Sequence, residues 1–357
     1  MDQVELATAV SLTGADGWLN PAAVGWARRP ILDTSGIVKG PHRTWGRTKR
    51  WEYWNVISPT HILALTVSSI DYAAVHEVWI FERASGSTWT RAVTVLPARD
   101  VDLPANLNSG PARARAKDLE IDLDPLPDGG TRLRATIPEA SFDVAVTRPA
   151  DYDCVAVVVP WSKTRFQYTV KDVALSATGV VMIAGVEHEV PAGSWAVLDH
   201  GRGRWPYDVT WNWGAGSGQS RGRRVGLQVG GKWTSGTGST ENGLVVDGHL
   251  YKIHDELTWD YDLADWRRPW HVAGGGLDAT LVPFFDKRST NNLVVVSSRT
   301  DQCFGHMVRH VHDATQRNHR FRRPHRMGRG RPQPLVTGPY RVLTSERASG
   351  RFSKGLS

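Results

Sequence analysis

Short runs of branched and aromatic residues recur along most of this chain, and turn-forming residues separate one run from the next. Most runs have the length of a β strand, roughly 4–8 residues, and many alternate apolar with polar side chains. No amphipathic pattern is sustained over the roughly 12 residues that a helix needs, which argues against strands alternating with helices. The 35 glycines and 20 prolines supply many turns. The sequence therefore predicts an all-β fold of antiparallel sheets, closed into barrels or packed as a sandwich.

The predicted strands fall into two groups, because the apolar pattern breaks at residues 160–165. We therefore expect two β domains, residues 1–165 and 166–308. Asp247-Gly248, between two strands of the second group, is a strong signal for a hairpin turn. The first group is expected at residues 62–67, 75–81, 88–96, 119–123, 133–137, 141–146 and 154–159. The second group is expected at residues 166–173, 180–184, 195–198, 209–213, 225–229, 243–246, 250–253, 257–261, 277–282 and 293–298.

The positive net charge of +7 belongs to the C-terminal end of the chain. Residues 309–357 hold 12 Lys and Arg against two Asp and Glu, whereas residues 1–308 hold 31 against 34. The folded part is close to neutral, so nucleic-acid binding by it is poorly supported, and only the tail would attract nucleic acid. Since the strand pattern ends near Val308, we expect residues 309–357 to form a disordered basic tail. A frameshift in the coding sequence is the alternative explanation of this segment.

Several classes of site have no signature in the sequence. Cys154 and Cys303 form neither a disulfide framework nor a metal-ligand spacing, and His306, His310 and His312 lack partners at such a spacing. A Walker loop, a dinucleotide fingerprint and a nucleophile elbow are all missing from the sequence, so we expect no metal and no cofactor. Without a signal peptide or an apolar run near the roughly 18 residues of a membrane span, a cytoplasmic protein is expected.

The strongest candidate site lies where a glycine-punctuated segment meets a tryptophan-rich strand. Residues 199–204 read Asp-His-Gly-Arg-Gly-Arg, and the glycines let the backbone turn or approach another group closely. Residues 208–213 alternate like a strand, which puts two tryptophans on one face. This arrangement predicts an apolar pocket with a few fixed polar groups. The alternative is structural: Asp199 pairs with Arg202 or Arg204 to hold a loop, and the tryptophans are core residues.

Other residues add candidates, each with a structural alternative. Glu241 precedes an apolar strand and is a candidate general acid or base, or part of the turn at Asn242. Asp71 interrupts two apolar strands and either lies in a cavity or caps a turn. The catalytic candidates are Asp199, Arg202 and Glu241. The candidates for substrate binding are Trp51, Trp54, Asp71, His200, Trp211, Asn212, Trp213 and Asn242.

Several motifs occur in order along the chain, at residues 24–30, 49–54, 70–72, 198–203, 211–213, 241–248 and 283–288. In these motifs, residues 15–308 resemble the family catalogued as domain of unknown function 2804. That resemblance implies no activity, since none is firmly assigned to the family. The chain is also similar to two-domain lipocalin-like proteins that include carotenoid hydratases and related cyclases. This second resemblance implies two tandem antiparallel barrels or half-barrels, with an apolar ligand in or between them. It is an analogy of fold and carries little information about function.

Two functional hypotheses follow. The first is a cofactor-free lyase, isomerase or cyclase that transfers protons on a small apolar molecule in a tryptophan-lined cavity. Asp199 or Glu241 would be the acid or base, and Arg202 would orient Asp199 or stabilise negative charge. The second is a non-catalytic protein that binds a lipid or another hydrophobic metabolite. A buried carboxylate with a raised pKa favours the enzyme, and an acid neutralised by Arg202 favours the binding protein. The sequence does not indicate an oligomeric state.

Overall fold

The computed structural model describes residues 3–37, 45–293, 296–311 and 341–349. Within these residues the chain is built almost entirely of β strands, and the helical elements are two single 3₁₀ turns, Pro21–Ala23 and Ser35–Ile37. The all-β prediction is therefore confirmed. In the described part of the chain, no helix has the length and apolar character needed to cross a membrane.

Twenty-four strands are described. Those up to residue 204 are β1 (Val10–Ser11), β2 (Trp26–Ala27), β3 (Leu32–Asp33), β4 (Thr48–Ile57), β5 (His61–Ser69), β6 (Ala74–Glu82), β7 (Thr88–Val95), β8 (Val101–Asp102), β9 (Ala112–Ala116), β10 (Leu119–Pro125), β11 (Thr131–Ile137), β12 (Ala140–Thr147), β13 (Val155–Ser162), β14 (Arg165–Ile183) and β15 (Val186–Arg204). The remainder are β16 (Asp208–Ser220), β17 (Arg223–Gly231), β18 (Asn242–Val246), β19 (His249–Ile253), β20 (Thr258–Asp260), β21 (Trp270–Gly274), β22 (Leu277–Leu293), β23 (Val296–Val311) and β24 (Arg341–Ser349).

The first large sheet is a curled half-barrel with the strand order β7-β6-β5-β4-β15-β14-β12-β11-β10-β9-β8. β13 pairs with β14, and β2 pairs with β13. Buried and exposed residues alternate along β11, and its buried residues Leu133 and Ala135 share one core with Val78 and Ile80 of β6. The curl therefore brings strands from distant positions in the sheet around a common apolar interior.

The second large sheet has the order β19-β18-β17-β16-β24-β23-β22-β21-β20 and is antiparallel throughout its described pairs. Because β14 and β15 belong to the first sheet, the change of sheet falls between Arg204 and Asp208. The predicted division at residue 165 does not coincide with this change. That the two halves are separate domains stays a prediction.

The predicted disordered tail, residues 309–357, is described in two places. β23 continues to Val311, and β24 (Arg341–Ser349) lies between β16 and β23 with antiparallel pairing to both. The pairing of Arg341–Ser349 differs from the expectation of a disordered segment, since β24 completes the ladder of the second sheet. The rest of the predicted tail, residues 312–340 and 350–357, lies outside the described residues.

Two glycine-containing segments are more regular than the sequence predicted. The glycines at residues 199–204 were expected to permit a turn or a close approach; the segment continues β15 and pairs with β14 on one side and β4 on the other. The glycine-rich residues 214–218, whose composition is typical of flexible segments, lie within β16 and pair with β17. Ser217 Oγ accepts a hydrogen bond from the backbone N–H of Ala174 in β14 (2.9 Å). Small residues in β16 thus allow the two large sheets to approach closely.

The alternation along β11 leads to a stability prediction. Leu133→Ala removes a buried side chain from the interior of the half-barrel, so we expect the free energy of unfolding to fall by about 2–5 kcal/mol. Thr136→Ala changes an exposed residue of the same strand and should cost less than about 0.5 kcal/mol. Urea unfolding of the two variants measures both values. Equal effects would show that the two faces of β11 are wrongly assigned.

Candidate functional site

The candidate site lies between the two large sheets, on one face of three neighbouring strands. In the central strand, β15, Asp199 lies directly opposite Lys171 of β14 and opposite Tyr53 of β4. Because residues directly opposite in an antiparallel pair share a face, these three side chains point to the same side of the first sheet. Trp213 of the second sheet contacts this face, with its ring centroid 5.9 Å from that of Tyr53.

Lys171 is the centre of the site because two carboxylates converge on its ammonium group. Its Nζ forms an ion pair with Asp199 Oδ2 and lies 3.4 Å from Glu241 Oε2. Glu241 directly precedes β18, so it belongs to the second part of the chain, whereas Lys171 and Asp199 belong to the first sheet. We call Lys171, Asp199 and Glu241 the carboxylate–lysine cluster. The cluster therefore brings together two of the three catalytic candidates, Asp199 and Glu241.

Two indole N–H groups bind the remaining carboxylate oxygens. Trp51 Nε1 donates a hydrogen bond to Asp199 Oδ1 (3.2 Å), and Trp233 Nε1 donates one to Glu241 Oε1 (2.8 Å). Each carboxylate therefore contacts the same ammonium group and one indole. The indoles fix the orientation of the acids while surrounding them with apolar surface.

Glycines make room for both of these contacts. Gly201 lies directly opposite Trp51, and a Cβ at Gly201 would collide with the Trp51 ring. A Cβ at Gly230 would likewise collide with the Glu241 carboxylate. The expectation that a glycine near Arg202 permits a close approach is therefore correct, although the backbone there is an extended strand and makes no turn.

Further tryptophans form a continuous group of rings beside the cluster. The centroid of Trp205 lies 5.5 Å from Trp51, 5.7 Å from Trp161 and 5.7 Å from Trp211. Trp161 in turn lies 5.9 Å from Trp233. All four contacts are edge-to-face, an arrangement that aromatic pairs prefer. The rings thus connect the two indoles that hold the carboxylates.

Trp213 places the face of an aromatic ring against the ammonium group. Lys171 Nζ lies 5.0 Å from the Trp213 ring centroid, within the range of a cation–π contact. Trp213 Nε1 donates a hydrogen bond to Gln228 Oε1 (3.1 Å), which fixes the ring. The positive charge is therefore stabilised by two carboxylates and one indole.

Burial and charge shift the pKa values of the cluster. Burial raises the pKa of Glu241 to about 7; Lys171 opposes this shift and Asp199 adds to it. Burial opposes the charge of Lys171, but the two carboxylates outweigh it and raise the pKa of the ammonium group above its usual value. The cluster therefore holds a charged lysine together with a carboxyl group that takes up a proton near neutral pH.

The three members of the cluster differ in access to solvent. The Asp199 side chain is 16% exposed, that of Lys171 4%, and that of Glu241 is fully buried. A molecule approaching from outside would therefore meet Asp199 first. Lys171 contacts both carboxylates and so connects the buried Glu241 with Asp199.

Arg202 and His200 do not join the cluster, contrary to the sequence-based prediction. Side chains alternate along a strand, so residues one and three positions after Asp199 point to the opposite face. There Arg202 Nη2 lies 3.5 Å from Glu52 Oε1, and His200 Nδ1 lies 3.6 Å from the same oxygen. Arg202 also donates hydrogen bonds to the backbone carbonyls of Trp51 and Pro104. It therefore neither orients nor neutralises Asp199.

This opposite face carries a second group of buried polar side chains. Glu52, His200 and Arg202 are almost completely buried, and Trp54 is a buried member of the main apolar core. Burial lowers the pKa of His200 to about 4, so the ring is neutral at pH 7. Trp54 lies on this face as well, since it is two residues from Glu52 in β4, and it does not line the carboxylate–lysine cluster.

Three further candidates have structural roles instead of the predicted binding roles. Asp71 lies in the β5–β6 turn with a positive φ, and its Oδ2 accepts hydrogen bonds from the backbone N–H groups of Arg47 (3.1 Å) and Thr48 (2.9 Å). Asn242 accepts a hydrogen bond from the backbone N–H of Gly230 (2.7 Å) and donates one to the Asp255 carbonyl.

Asn212 is the third of these residues. Its Oδ1 accepts a hydrogen bond from the Tyr261 hydroxyl (3.0 Å). Because Asn212 lies between Trp211 and Trp213 in β16, its side chain points away from the face that carries those indoles. Trp213 contacts Lys171, and Trp211 contacts Trp205 in the group of rings beside the cluster. That the two indoles bind a substrate stays a prediction.

Sequence reasoning missed Lys171, the central residue of the site, and Trp233. Lys171 lies in the predicted strand 166–173, in which four of the eight residues are apolar and Asp172 follows it directly. A charged residue inside such a strand must find a partner on folding, so this context was a usable signal. Trp233 carried no local signal, because its contact with Glu241 depends on how the segment after β17 folds.

The raised pKa of Glu241 predicts a specific pH dependence of stability. The folded state holds the proton more tightly than the unfolded chain, whose glutamate titrates near 4.5. The resulting stabilisation is present below pH 4.5 and is lost as the pH rises through 7. Relative to Glu241→Gln, the wild-type protein should therefore lose up to about 3 kcal/mol of unfolding free energy between pH 4.5 and 7.

Urea unfolding at several pH values measures this difference. Glu139→Gln, at an exposed glutamate, serves as the control and should differ from the wild type by a constant amount. If the difference between wild type and Glu241→Gln is also independent of pH, then the carboxyl group of Glu241 titrates normally.

Solved structures with the same fold cover most of this chain. A putative AttH from Nitrosomonas europaea shares 12% identity at a TM-score of 0.51, and the match covers 87% of this chain and 95% of that one. CghA shares 11% identity at a TM-score of 0.56, with 100% and 98% covered. Kievitone hydratase from Nectria haematococca shares 9% identity at a TM-score of 0.52, with 98% of each chain covered. At such identities the likeness shows the lipocalin-like fold alone.

No functionally curated protein matches the chain. The model of one protein family does match, over residues 3–323, which is most of the sequence. The match extends at both ends beyond residues 15–308, the range to which the sequence motifs assigned the resemblance. The chain therefore belongs to the family described as domain of unknown function DUF2804.

Proposed function

We propose that this protein is an acid–base enzyme that hydrates, isomerises or cyclises a small apolar molecule at the carboxylate–lysine cluster. The observation that carries the proposal is the convergence of Asp199 and Glu241 on one buried ammonium group. The pKa of Glu241 is about 7, which suits a group that exchanges protons near neutral pH.

The charge balance of the cluster favours proton uptake. Two ionised carboxylates and one ammonium group would leave a net negative charge in a largely buried site, and burial makes such a charge costly. One added proton makes the cluster neutral. Because the three groups interact directly, the proton belongs to the cluster as a whole, although burial favours its residence on Glu241.

Asp199 is the group that would contact the substrate, since it is the most exposed of the three. Lys171 lies between both carboxylates, so a proton stored on Glu241 reaches Asp199 by exchange through the ammonium group. Glu241 and Lys171 would then act as positioning residues that set the protonation state of Asp199. Acid–base catalysis of this kind contributes roughly 10²–10⁴-fold to a rate.

A hydration illustrates how the atoms balance. Protonated Asp199 transfers its proton to one carbon of a double bond, and a cationic centre forms at the other carbon. Water adds through its oxygen to that centre and returns a proton to the Asp199 carboxylate. Loss of a different proton from the same cation would isomerise the double bond, and attack by a second double bond would close a ring.

The tryptophans suit this chemistry in two ways. Their surfaces bind apolar molecules, and the faces of their rings stabilise a positive charge on the substrate. Trp51 and Trp211 both contact Trp205 and are only partly buried, so parts of their surfaces remain free to contact a bound molecule. Among the solved structures with the same fold, kievitone hydratase supports the proposal, because its name describes an enzyme that adds water.

A non-catalytic protein that binds a hydrophobic metabolite is the second candidate. The ion pair between Lys171 and Asp199 favours this candidate. Lys171 already neutralises the acid, so the presence of Asp199 in the site is explained without a catalytic role. The residue that pairs with Asp199 is a lysine and not the predicted Arg202. The two candidates differ in whether a bound molecule exchanges atoms with water.

We expect protein purified from its own host to carry an apolar molecule that native mass spectrometry detects. That molecule, extracted and added back in H₂¹⁸O or D₂O, should gain ¹⁸O or carbon-bound deuterium in the presence of the protein. Asp199→Asn should reduce the rate of incorporation at least about 100-fold, because it removes the group that transfers the proton.

Asp278→Asn is the matched control, since Asp278 pairs with His271 on the surface of the second sheet. It should incorporate isotope at the wild-type rate. If the molecule binds but incorporates no isotope, the protein is a binding protein. If Asp199→Asn is as active as the wild type, the proposed role of the cluster is wrong.

A further inference from the structure

A group of metal-ligating side chains lies outside the carboxylate–lysine cluster, where β5 begins and β6 ends. His61 is the first residue of β5 and lies directly opposite Glu82, the last residue of β6. Antiparallel pairing places their side chains on the same face of the first sheet. His188, near the start of β15, completes the group.

An irregularity in β15 brings His188 to this position. The pairing of β14 with β15 shifts between Ala177 and Gly179, where extra residues of β15 bulge out. β15 pairs with β4 only from Trp195, opposite Ile57, onwards. The first part of β15 therefore runs past the end of β4 and lies beside the β4–β5 turn.

The three side chains offer two imidazoles and one carboxylate at short range. One nitrogen of His61, one nitrogen of His188 and one carboxylate oxygen of Glu82 all lie within 4.8 Å of one another. The two imidazole rings are 4.9 Å apart between centroids. Two imidazoles with one carboxylate are a ligand set of zinc sites that keep a fourth position for water.

His61 is already oriented for such a role. Its Nδ1 lies 2.9 Å from Thr60 Oγ1, whereas its Nε2 is buried without a hydrogen-bond partner. If Nδ1 carries the hydrogen and donates a hydrogen bond to Thr60 Oγ1, Nε2 presents a free lone pair. A hydrogen bond of this kind to the second ring nitrogen is typical of metal-binding histidines. Leaving a buried polar nitrogen unpaired is costly, and a metal ion would relieve that cost.

We propose that His61, Glu82 and His188 form a binding site for a zinc ion. Ligand distances of about 2.0–2.2 Å and tetrahedral geometry separate neighbouring donor atoms by roughly 3.4 Å. His188 and Glu82 are only partly buried, so small side-chain rotations close the remaining gap. The bound ion would join the end of the β5–β6 pair to β15. The proposal does not depend on the proposed enzymatic function.

The test uses the full-length protein after treatment with EDTA, titrated with ZnCl₂ in a calorimeter at pH 7.5. We expect one zinc ion per chain and a rise in the melting temperature, because an ion that binds the folded state stabilises it. His188→Ala and Glu82→Gln should each weaken zinc binding at least about 100-fold, since each removes a direct ligand. MgCl₂ should have no effect, because magnesium prefers oxygen ligands.

His271→Ala is the matched control, as His271 lies on the surface beside a single carboxylate, that of Asp278. It should bind zinc with wild-type affinity. His188 and Glu82 are partly exposed, so their variants should fold, and the melting temperature of each metal-free variant checks this. Equal zinc affinity in wild type and His188→Ala, or no binding by the wild type, would overturn the proposal.

Discussion

The ammonium group of Lys171 is the interaction on which the candidate site depends. It neutralises Asp199 within the first sheet and attracts Glu241 from the second part of the chain. A buried ion pair is costly to break, because removal of one partner leaves an uncompensated charge in a poorly solvated interior. The same contacts that hold the two sheets together therefore also hold two carboxyl groups beside one ammonium group.

The surrounding tryptophans explain how such a polar group persists at an apolar junction. Trp51 and Trp233 each donate an N–H to one carboxylate, while the remainder of each ring excludes water. Lys171 also lies over the face of Trp213. The charges are thus paired and hydrogen-bonded, yet burial outweighs the ion pair with Lys171 and the Trp233 hydrogen bond and raises the pKa of Glu241.

Much of the fold could be predicted from the sequence because strands carry their own periodicity. The alternation of β11 and the apolar run of β13 are visible in single segments. The continuous strand through residues 199–204 was missed because glycines are read as turn formers, although here one of them admits the Trp51 ring. The same alternation that predicts strands shows why Arg202 fails as a partner of Asp199, since the two lie three positions apart.

The candidate site could be predicted only in part. Asp199, Trp211 and Trp213 were found from one conspicuous segment, and Glu241 from a loop before a strand. Their convergence depends on the packing of two sheets, which local sequence does not specify. Lys171 connects them, and its position inside a predicted strand was the one signal available in advance.

The protonation of Glu241 tests the central claim most directly. Difference infrared spectroscopy of protein with ¹³C-labelled glutamate, compared with Glu241→Gln, isolates the carboxyl band of this residue over a pH titration. The account predicts that the protonated form of Glu241 disappears with a midpoint near pH 7. A midpoint near 4.5 or below would show that Glu241 is an ordinary ionised partner of Lys171, and the claim that the cluster stores a proton would be wrong.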